Sequence, residues 1–206
     1  ILHENTKTQR LMKTSAEDRP LGIQITAPEK EQFKQVIPYL KKYDLVDINC
    51  GCPSVRIIDN ASGSFLLRNP RKIASFIKIL KDSGYTVTAK IRLGFRKNNV
   101  LKTAKIIEKS GADLLTVHAR LASEGRSIPA DWNELKKLRK HLGIPLIGNG
   151  DVFTPKKSEE MLDICDGVMI ARGALGNPNI FSDCIYYLKT GKSREFNLKK
   201  NIKKRG

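Results

Sequence analysis

A chain of 206 residues with 40% apolar side chains can bury one sizeable core, and its composition requires no second complete domain. Lys and Arg number 38 against 21 Asp and Glu, so the formal charge is +17, which favours a polyanionic partner such as nucleic acid, although a Lys-rich host composition gives the same excess. The longest apolar runs fall far short of the roughly 20 residues of a membrane span, so we expect a soluble protein with no membrane partner.

The N-terminal segment and the cysteines indicate a reducing compartment. Residues 1–5 lack the basic start and the long apolar stretch of a signal peptide. The four cysteines, at 50, 52, 165 and 184, show no disulfide framework. We therefore expect a cytoplasmic protein.

Six short β-rich runs alternate with segments of helical periodicity. In chain order, the predicted strands are 22–26, 46–49, 86–91, 114–118, 144–148 and 167–171. Apolar periodicity predicts helices ahead of Gly84 and Gly111, and another helix is predicted from Pro178 through Leu188. Three helix starts are marked by capping residues: Asn69 before Pro70, Asp131 with Glu134 as a capping box, and Thr154 before Pro155.

This alternation predicts an α/β fold with a parallel sheet, either an open doubly wound sheet or a (β/α)8 barrel of the TIM type. No Gly-x-Gly-x-x-Gly turn follows a strand, which weakens the open-sheet alternative. Polar residues fall at or just past the C-terminal end of all six strands, as in barrel enzymes. They are Gln24, Asn49, Lys90 with Arg92, His118, Asn149 with Asp151, and Arg172. The pattern favours the barrel.

Six of the eight units of such a barrel are accounted for. The chain opens on Ile1 part-way through the repeating pattern, so we expect a fragment that lacks the first two strands, with residues 1–15 as the second helix. The barrel would occupy 1–190. Residues 191–206 form a basic segment, which either contacts nucleic acid or, as we prefer, begins a further domain.

The most specific motif is Asp-Ile-Asn-Cys-Gly-Cys-Pro-Ser at 47–54, followed by the glycine-led segment 63–70. Further segments follow in order at 90–94, 116–120, 130–132, 149–151 and 172–178. This ordered set, spanning residues 20–181, resembles the signature of the tRNA-dihydrouridine synthases, in an archaeal-like member. It departs from the family at Ala119, where glycine is usual, and it lacks the family's Ala-Pro-Met turn and most of its C-terminal helical domain.

The resemblance implies an enzyme that reduces uracil in tRNA with FMN as cofactor and NADPH or NADH as electron source. The segment 191–206 would then begin the helical tRNA-binding region. The resemblance also identifies Cys52 as the catalytic cysteine. It implies that Lys90 contacts the anionic edge of the reduced flavin and that Gln24 and His118 bind the flavin. Arg92 would help to position the cofactor or the uracil, Arg120 would reach toward the RNA, and Asn49 is a further candidate for the substrate site.

The chemistry supports this role for Cys52. Reducing the C5–C6 double bond needs a hydride at C6, which a flavin supplies, and a proton at C5 from a donor whose pKa is not far from neutral. A thiol with a pKa of about 8.5 meets that need. Cys50, Cys165 and Cys184 are interpreted instead as small hydrophobic residues of the core. Cys50 and Cys52 with three histidines fall short of a metal site, so no metal is expected.

The remaining candidate residues have structural alternatives. Lys90 and Arg92 alternate on one strand, so both face inward, where an ion pair with an acid on a neighbouring strand is the alternative to binding a ligand. His118 could be a satisfied core residue. The turns with Asn149, Gly150 and Asp151 and with Arg172 and Gly173 follow the last two strands, where barrels bind phosphate through main-chain N–H groups. One phosphate suits FMN.

Two other functions remain open. The first is a flavin-dependent dehydrogenase of free pyrimidines, of the dihydroorotate or dihydropyrimidine type, since those enzymes share a similar Asn-x-x-Cys-Pro stretch. The segments 130–132 and 172–178 and the charge of +17 favour the RNA enzyme over it. The second is a non-catalytic barrel that binds RNA.

Overall fold

Six parallel strands form one sheet, in the order in which they occur along the chain. The computed structural model describes residues 14–15 and 17–194. The strands are β1 (Gly22–Ile25), β2 (Leu45–Cys50), β3 (Thr86–Arg92), β4 (Leu114–His118), β5 (Leu146–Asn149) and β6 (Gly167–Met169). All six lie where the sequence predicts them, with ends that differ by at most two residues. β5 begins after Pro145, whose ring nitrogen has no hydrogen to donate to a ladder.

Helices connect the strands. They are α1 (Lys30–Val36), α2 (Val55–Asp59), α3 (Pro70–Asp82), α4 (Val100–Lys109), α5 (Trp132–Arg139), α6 (Pro155–Leu162) and α7 (Ile180–Thr190). Short 3-10 helices lie at Ile37–Tyr39, Gly63–Arg68 and Arg172–Ala174. Within the described ranges, no helix combines the length and the apolar character needed to cross a bilayer.

The predicted helix starts are correct in position but not always in capping detail. Thr154 accepts a hydrogen bond from the N–H of Lys157, as an N-cap should. Asp131 accepts from the N–H of Asn133, but the predicted capping box is wrong because Glu134 instead accepts from Asn98 and Lys137. Pro70 does occupy the first turn of α3, although the Asn69 side chain makes no capping bond.

The core lies between the sheet and the helices. In β2, Val46, Ile48 and Cys50 are fully buried, and they alternate with polar residues that point to the other face of the sheet. The burial of Cys50 confirms its predicted place in the core. The register pairs Asn49 with Lys90, and it pairs Arg92 with His118 in turn. The polar residues therefore form layers on the inner face of the sheet.

This architecture is that of a (β/α)8 barrel of the TIM type, and six of its units lie in the described part of the chain. A doubly wound sheet reverses its strand order at a switch point, whereas β1 to β6 follow one another without reversal. Residues 1–13, most of the predicted second helix, lie outside the described residues, as do residues 195–206. The division at residue 190 stays a prediction, although α7 does end there, at Gly191 in a left-handed conformation with φ of 67°.

Candidate active site at the carboxyl ends of the strands

All of the predicted site residues lie at or just past the carboxyl end of the sheet. Gln24, Asn49 and Cys52 lie on or after β1 and β2. Lys90, Arg92, His118 and Arg120 lie on or after β3 and β4. Asn149, Gly150, Asp151, Arg172 and Gly173 follow β5 and β6. The turn with Cys52 and the turns after β5 and β6 therefore share one rim.

The loop that carries Cys52 is held by hydrogen bonds on three sides. The Asn49 side-chain oxygen accepts from the N–H groups of Gly51 and Cys52, at 3.1 and 3.0 Å. Arg92 Nε donates to the Gly51 carbonyl oxygen at 2.8 Å. The N–H of Ser64 donates to the Cys52 carbonyl oxygen at 3.0 Å. The Cys52 side chain is partly exposed, whereas the other three cysteines are buried, and all four are free thiols.

Thr26 joins this loop to the neighbouring turns, a role that the sequence did not reveal. Its hydroxyl donates to the Asn49 carbonyl oxygen at 3.0 Å and accepts from the N–H of Gly63 at 3.1 Å. Gly63 has φ of 59°, and a Cβ there would lie 2.9 Å from the Cys52 carbonyl oxygen. Glycine is therefore required for this close approach to the cysteine loop.

A second network missed by the sequence analysis lies below the loop. Asp47 accepts from Gln24 Nε2 at 2.7 Å and from the Thr88 hydroxyl at 2.6 Å. Gln24 Oε1 accepts in turn from Asn49 Nδ2 at 2.9 Å. Asp47 lies two residues before Asn49 on β2, so strand alternation was the one signal that could have placed it on the inner face. The network fixes the orientation of both Gln24 and Asn49.

Lys90 and Arg92 bring two positive charges to the inner face without a paired acid. Among the described residues, neither forms an ion pair, and Arg92 donates instead to the carbonyl oxygens of Gly51 and Leu121. Burial, and then the charge of Arg92, lower the pKa of Lys90 to about 8, an effect that the charge of Asp47 offsets only in part. Burial also lowers the pKa of Arg92. The site thus favours an anionic ligand.

His118 is neutral in this setting. Burial first, and then the charges of Arg92, Lys90 and Arg120, lower its pKa to about 3. Its Nε2 lies 3.1 Å from Nη1 of Arg120, which can only donate, so Nε2 accepts and Nδ1 carries the proton. A neutral imidazole with an N–H at Nδ1 can donate a hydrogen bond without adding charge.

Arg120 points inward. It is 3% exposed, and its Nη2 donates to both carboxylate oxygens of Asp151, at 2.7 and 2.6 Å. Nε donates to the carbonyl oxygen of Ile128. The sequence predicts that Arg120 reaches RNA, whereas this placement, caused by the later Asp151, favours a supporting role.

Asp151 connects the two turns of the predicted phosphate site. It has a left-handed φ of 56°, uncommon for a residue other than glycine. It pairs with Arg172 at 3.0 Å and accepts from the N–H of Ala130 at 2.8 Å. In the same segment, Trp132 donates to the Gly150 carbonyl oxygen at 3.0 Å. The segment 130–132 thus fastens the turn after β5.

The turns after β5 and β6 enclose a small pocket of about 40 Å³, lined by His118, 149–153, Met169 and 171–173. A Cβ on Gly173 would lie 2.4 Å from the Val152 carbonyl oxygen, so the turns approach each other too closely for a side chain there. Asn149 is buried, and its Nδ2 donates to the Met169 carbonyl oxygen at 2.8 Å. All five predicted phosphate-site residues therefore line one pocket.

The donor set suits an anion. Across the described ranges, no group of three or more His, Cys, Asp or Glu side chains is placed to hold a metal ion. The inner face instead combines Lys90, Arg92 and a neutral imidazole with a partly exposed thiol on a fastened loop.

Comparison with known proteins gives a family match along almost the whole chain. The model of the family described as dihydrouridine synthase (Dus) matches residues 1–204. A protein of Aquifex aeolicus (strain VF5) named "Probable tRNA-dihydrouridine synthase" is 37% identical over 183 residues, covering 84% of this chain and 58% of that protein. tRNA-dihydrouridine synthase B of Pasteurella multocida (strain Pm70) is 34% identical over 167 residues, covering 78% and 50%. The chain thus spans between half and three fifths of these relatives. Both are bacterial proteins, and the archaeal-like character stays a prediction.

Solved structures support the barrel. A protein of Roseovarius nubinhibens ISM described as "putative mandelate racemase/muconate lactonizing enzyme" has a TM-score of 0.55 at 18% identity, covering 85% of this chain and 44% of that one. 6-Hydroxypseudooxynicotine amine oxidase from Pseudomonas geniculata N1 has a TM-score of 0.54 at 15% identity, covering 78% and 28%. At such identities the likeness concerns the fold alone.

Proposed function

The chain belongs to the dihydrouridine synthase family, and from that premise we propose that the full-length protein reduces the C5–C6 double bond of a uracil in tRNA. FMN is the cofactor, NADPH or NADH is the electron source, and Cys52 is the proton donor. The observation that carries the proposal is the Cys52 loop, held by Asn49 and Arg92 beside the unpaired ammonium of Lys90.

The residues fit a flavin with one phosphate. Lys90 is a half-buried cation with no ion pair among the described residues, and an anionic ring edge would supply the missing charge. Gln24 and His118 would bind the ring by hydrogen bonds. The phosphate would lie against Asn149, Gly150, Asp151, Arg172 and Gly173. Bound there, a reduced flavin supplies the hydride that no side chain can provide.

Cys52 carries the proton step. Its Sγ–H would give a proton to C5 of the uracil, while C6 gains the hydride. The S–H bond breaks in this step and leaves the Cys52 sulfur as a thiolate. A charge on Cys52 raises the pKa of both Lys90 and Arg92, so both cations lie within electrostatic reach of the sulfur. The partly exposed thiolate then regains a proton from water.

Three residues would bind or position the substrate, each in a different way. Arg92 faces the site directly. Asn49 positions the cysteine loop, and Arg120 acts through Asp151 and His118. A uracil stacked within folded RNA cannot reach an inner face of this kind, so it must be turned out of its stack before reduction.

The same proposal covers the rest of the chain and its compartment. We place the FMN-binding barrel at 1–190 and the start of a helical tRNA-binding region at 191–206, with the protein in the cytoplasm. Four free thiols are compatible with a reducing compartment.

The test is turnover by the purified full-length protein. We expect a yellow preparation that, with NADPH or NADH, forms dihydrouridine in unmodified tRNA, and a Cys52→Ala variant that keeps the flavin but loses most product formation. Reduction of free uracil or orotate without product in tRNA would establish the free-pyrimidine dehydrogenase instead. A colourless protein that binds tRNA and is indifferent to Cys52→Ala would establish the non-catalytic barrel.

A further inference from the structure

A second, larger cleft lies on the same rim, away from the phosphate pocket. Its volume is about 340 Å³, and it lies between the 3-10 helix Gly63–Arg68 and the loop after β3. It is lined by Leu67, Arg68, Phe95, Arg96, Lys97 and Asn99. We call it the rim cleft. Its volume falls within the range of about 300–1,000 Å³ that is usual for small-ligand sites.

The rim cleft concentrates positive charge without an acid in its wall. Arg68, Arg96 and Lys97 are exposed, and none of them forms an ion pair with another described residue. Like charges repel when they are placed together, so a surface that gathers three unpaired cations has its electrostatic complement in an anion. Asn99, also in the wall, is the N-cap of α4, whose positive helix end adds to this potential.

The apolar wall is aromatic. The Phe65 and Phe95 rings pack edge to face with their centres 6.1 Å apart. The Arg68 guanidinium lies 4.9 Å from the centre of the Phe65 ring and 5.7 Å from that of Phe95. A half-buried ring and an arginine plane next to unpaired cations are the combination with which proteins stack a nucleic-acid base and hold its phosphate.

The rim cleft is joined to the cysteine loop on both sides. The 3-10 helix that ends at Arg68 begins at Gly63, next to the Cys52 carbonyl oxygen, and it spans about 10 Å at its usual rise. On the other side, the loop with Phe95 follows Arg92, which donates to Gly51. The rim cleft is thus one short element away from the thiol.

We propose that the rim cleft binds a nucleotide of the tRNA that flanks the target uracil. Arg96 and Lys97 hold its phosphates, and the base lies against Phe95 and Arg68. The proposal rests on the proposed function, since it takes tRNA to be the substrate. It adds a binding site for the strand next to the reacting base.

The test compares two double variants of the full-length protein. Arg96→Gln/Lys97→Gln removes two charges from the rim cleft. Lys109→Gln/Lys140→Gln removes two charges from exposed positions at the opposite, amino-terminal end of the barrel. Both pairs are exposed, so neither variant disturbs the core. For each variant, affinity for an unmodified tRNA transcript is measured over a range of salt concentrations, together with kcat and KM for dihydrouridine formation and flavin reduction without tRNA.

We expect the rim-cleft variant to bind tRNA at least about tenfold more weakly and to raise KM with little change in kcat. The slope of log K against log salt should shrink by about 1.4–1.8, since each phosphate contact contributes about 0.7–0.9. Flavin reduction should not change, and the control should behave like wild type. Equal losses in both variants, or tRNA affinity unchanged in the rim-cleft variant, would overturn the proposal.

The two proposals fail separately. If wild type forms no dihydrouridine but the variants still differ in tRNA affinity, the rim cleft still binds tRNA, and it is the proposed reaction that falls. If wild type forms dihydrouridine and the two variants behave alike, the reaction stands and the rim cleft falls.

Discussion

The side-chain oxygen of Asn49 accepts a hydrogen bond from the N–H of Cys52 at 3.0 Å, and a second from Gly51 at 3.1 Å. Because both of its lone pairs hold the loop, the residue positions the thiol. We expect Asn49→Ala to retain flavin but to lower kcat roughly 100-fold, as a displacement of about 1 Å can do. Asn49→Asp keeps the accepting oxygens and should recover part of the rate. Asn133→Ala, at an exposed position in α5, is the control, and wild-type kcat in Asn49→Ala would refute the role.

Thiol labelling should single out Cys52. It is partly exposed, whereas burial raises the pKa of Cys50 and Cys184, and raises that of Cys165 to about 11. Only a thiolate reacts with iodoacetamide, so the folded protein should be modified first at Cys52. Mass spectrometry of a time course checks this. Earlier modification of any other cysteine would contradict the described burial.

Asp151→Asn should destabilise the protein. Arg120 is 3% exposed, and loss of its bidentate partner leaves a buried charge unpaired, at a cost of about 3 kcal/mol. Urea unfolding measures the difference, with Asp163→Asn, at an exposed position, as the control. If Asp151→Asn lowers the free energy of unfolding no more than the control does, the Arg120–Asp151 ion pair contributes little to stability.

The same pair predicts a pH dependence. Burial alone would raise the pKa of Asp151, but hydrogen bonds from Arg120 and Ala130 outweigh it and hold the pKa below its usual value. A carboxyl group whose pKa is lower in the folded state stabilises above its unfolded pKa of about 3.9 and loses that contribution as pH falls through the folded pKa. The difference in free energy of unfolding between wild type and Asp151→Asn should therefore be constant near neutral pH and become smaller below about pH 4. A difference that grows below pH 4 would mean that folding raises the pKa of Asp151 instead of lowering it.

His118 should remain neutral across the usual assay range. Burial and the surrounding cations lower its pKa to about 3, so its ring NMR signals should stay constant from about pH 8 to about pH 5. In the unfolded chain the same imidazole binds a proton at about pH 6.5. The free energy of unfolding should therefore fall as the pH drops from there towards 3. His118→Gln should reduce this slope, and the exposed His141 offers a matched His141→Gln control. Titration of the His118 signals near pH 6.5 would disprove the neutral imidazole.

Gly173→Ala should weaken flavin binding. A Cβ there would lie 2.4 Å from the Val152 carbonyl oxygen, so one of the two turns must move and the pocket between them must change shape. We expect at least a roughly tenfold higher Kd for FMN, equal to about 1.4 kcal/mol. Gly125→Ala, where the nearest atom would be 3.8 Å away, is the control. Unchanged flavin affinity would mean that phosphate binds elsewhere.

The sequence predicted what lies along single elements. Hydrophobic runs located all six strands, and polar residues at their ends located one rim, because strand ends in a parallel barrel meet there. Partners between elements were not predictable in this way. Asp47 and Thr88 bond across two strands, and Thr26 bonds two loops, so none of them stands out within its own segment.

Arg120 shows why direction is harder to predict than position. Its place after β4 was correct, but its orientation depends on Asp151, 31 residues later, which adopts a left-handed conformation that no local pattern marks. The capping box at Asp131 was wrong for a similar reason. Asn98, from a distant loop, binds the Glu134 side chain that the motif assigns to the helix start.

Cys52 follows β2, whereas the small pocket lies between the turns after β5 and β6, with His118 of β4 in its wall. Evolution could therefore remodel either end of the site by exchanging one block of repeats while the other kept its inherited chemistry. The middle repeat has no such freedom, because His118 responds to charges on one side and Arg120 binds Asp151 on the other. Recombined barrels should therefore work only when the exchanged block keeps the residues that interact with His118 and Arg120.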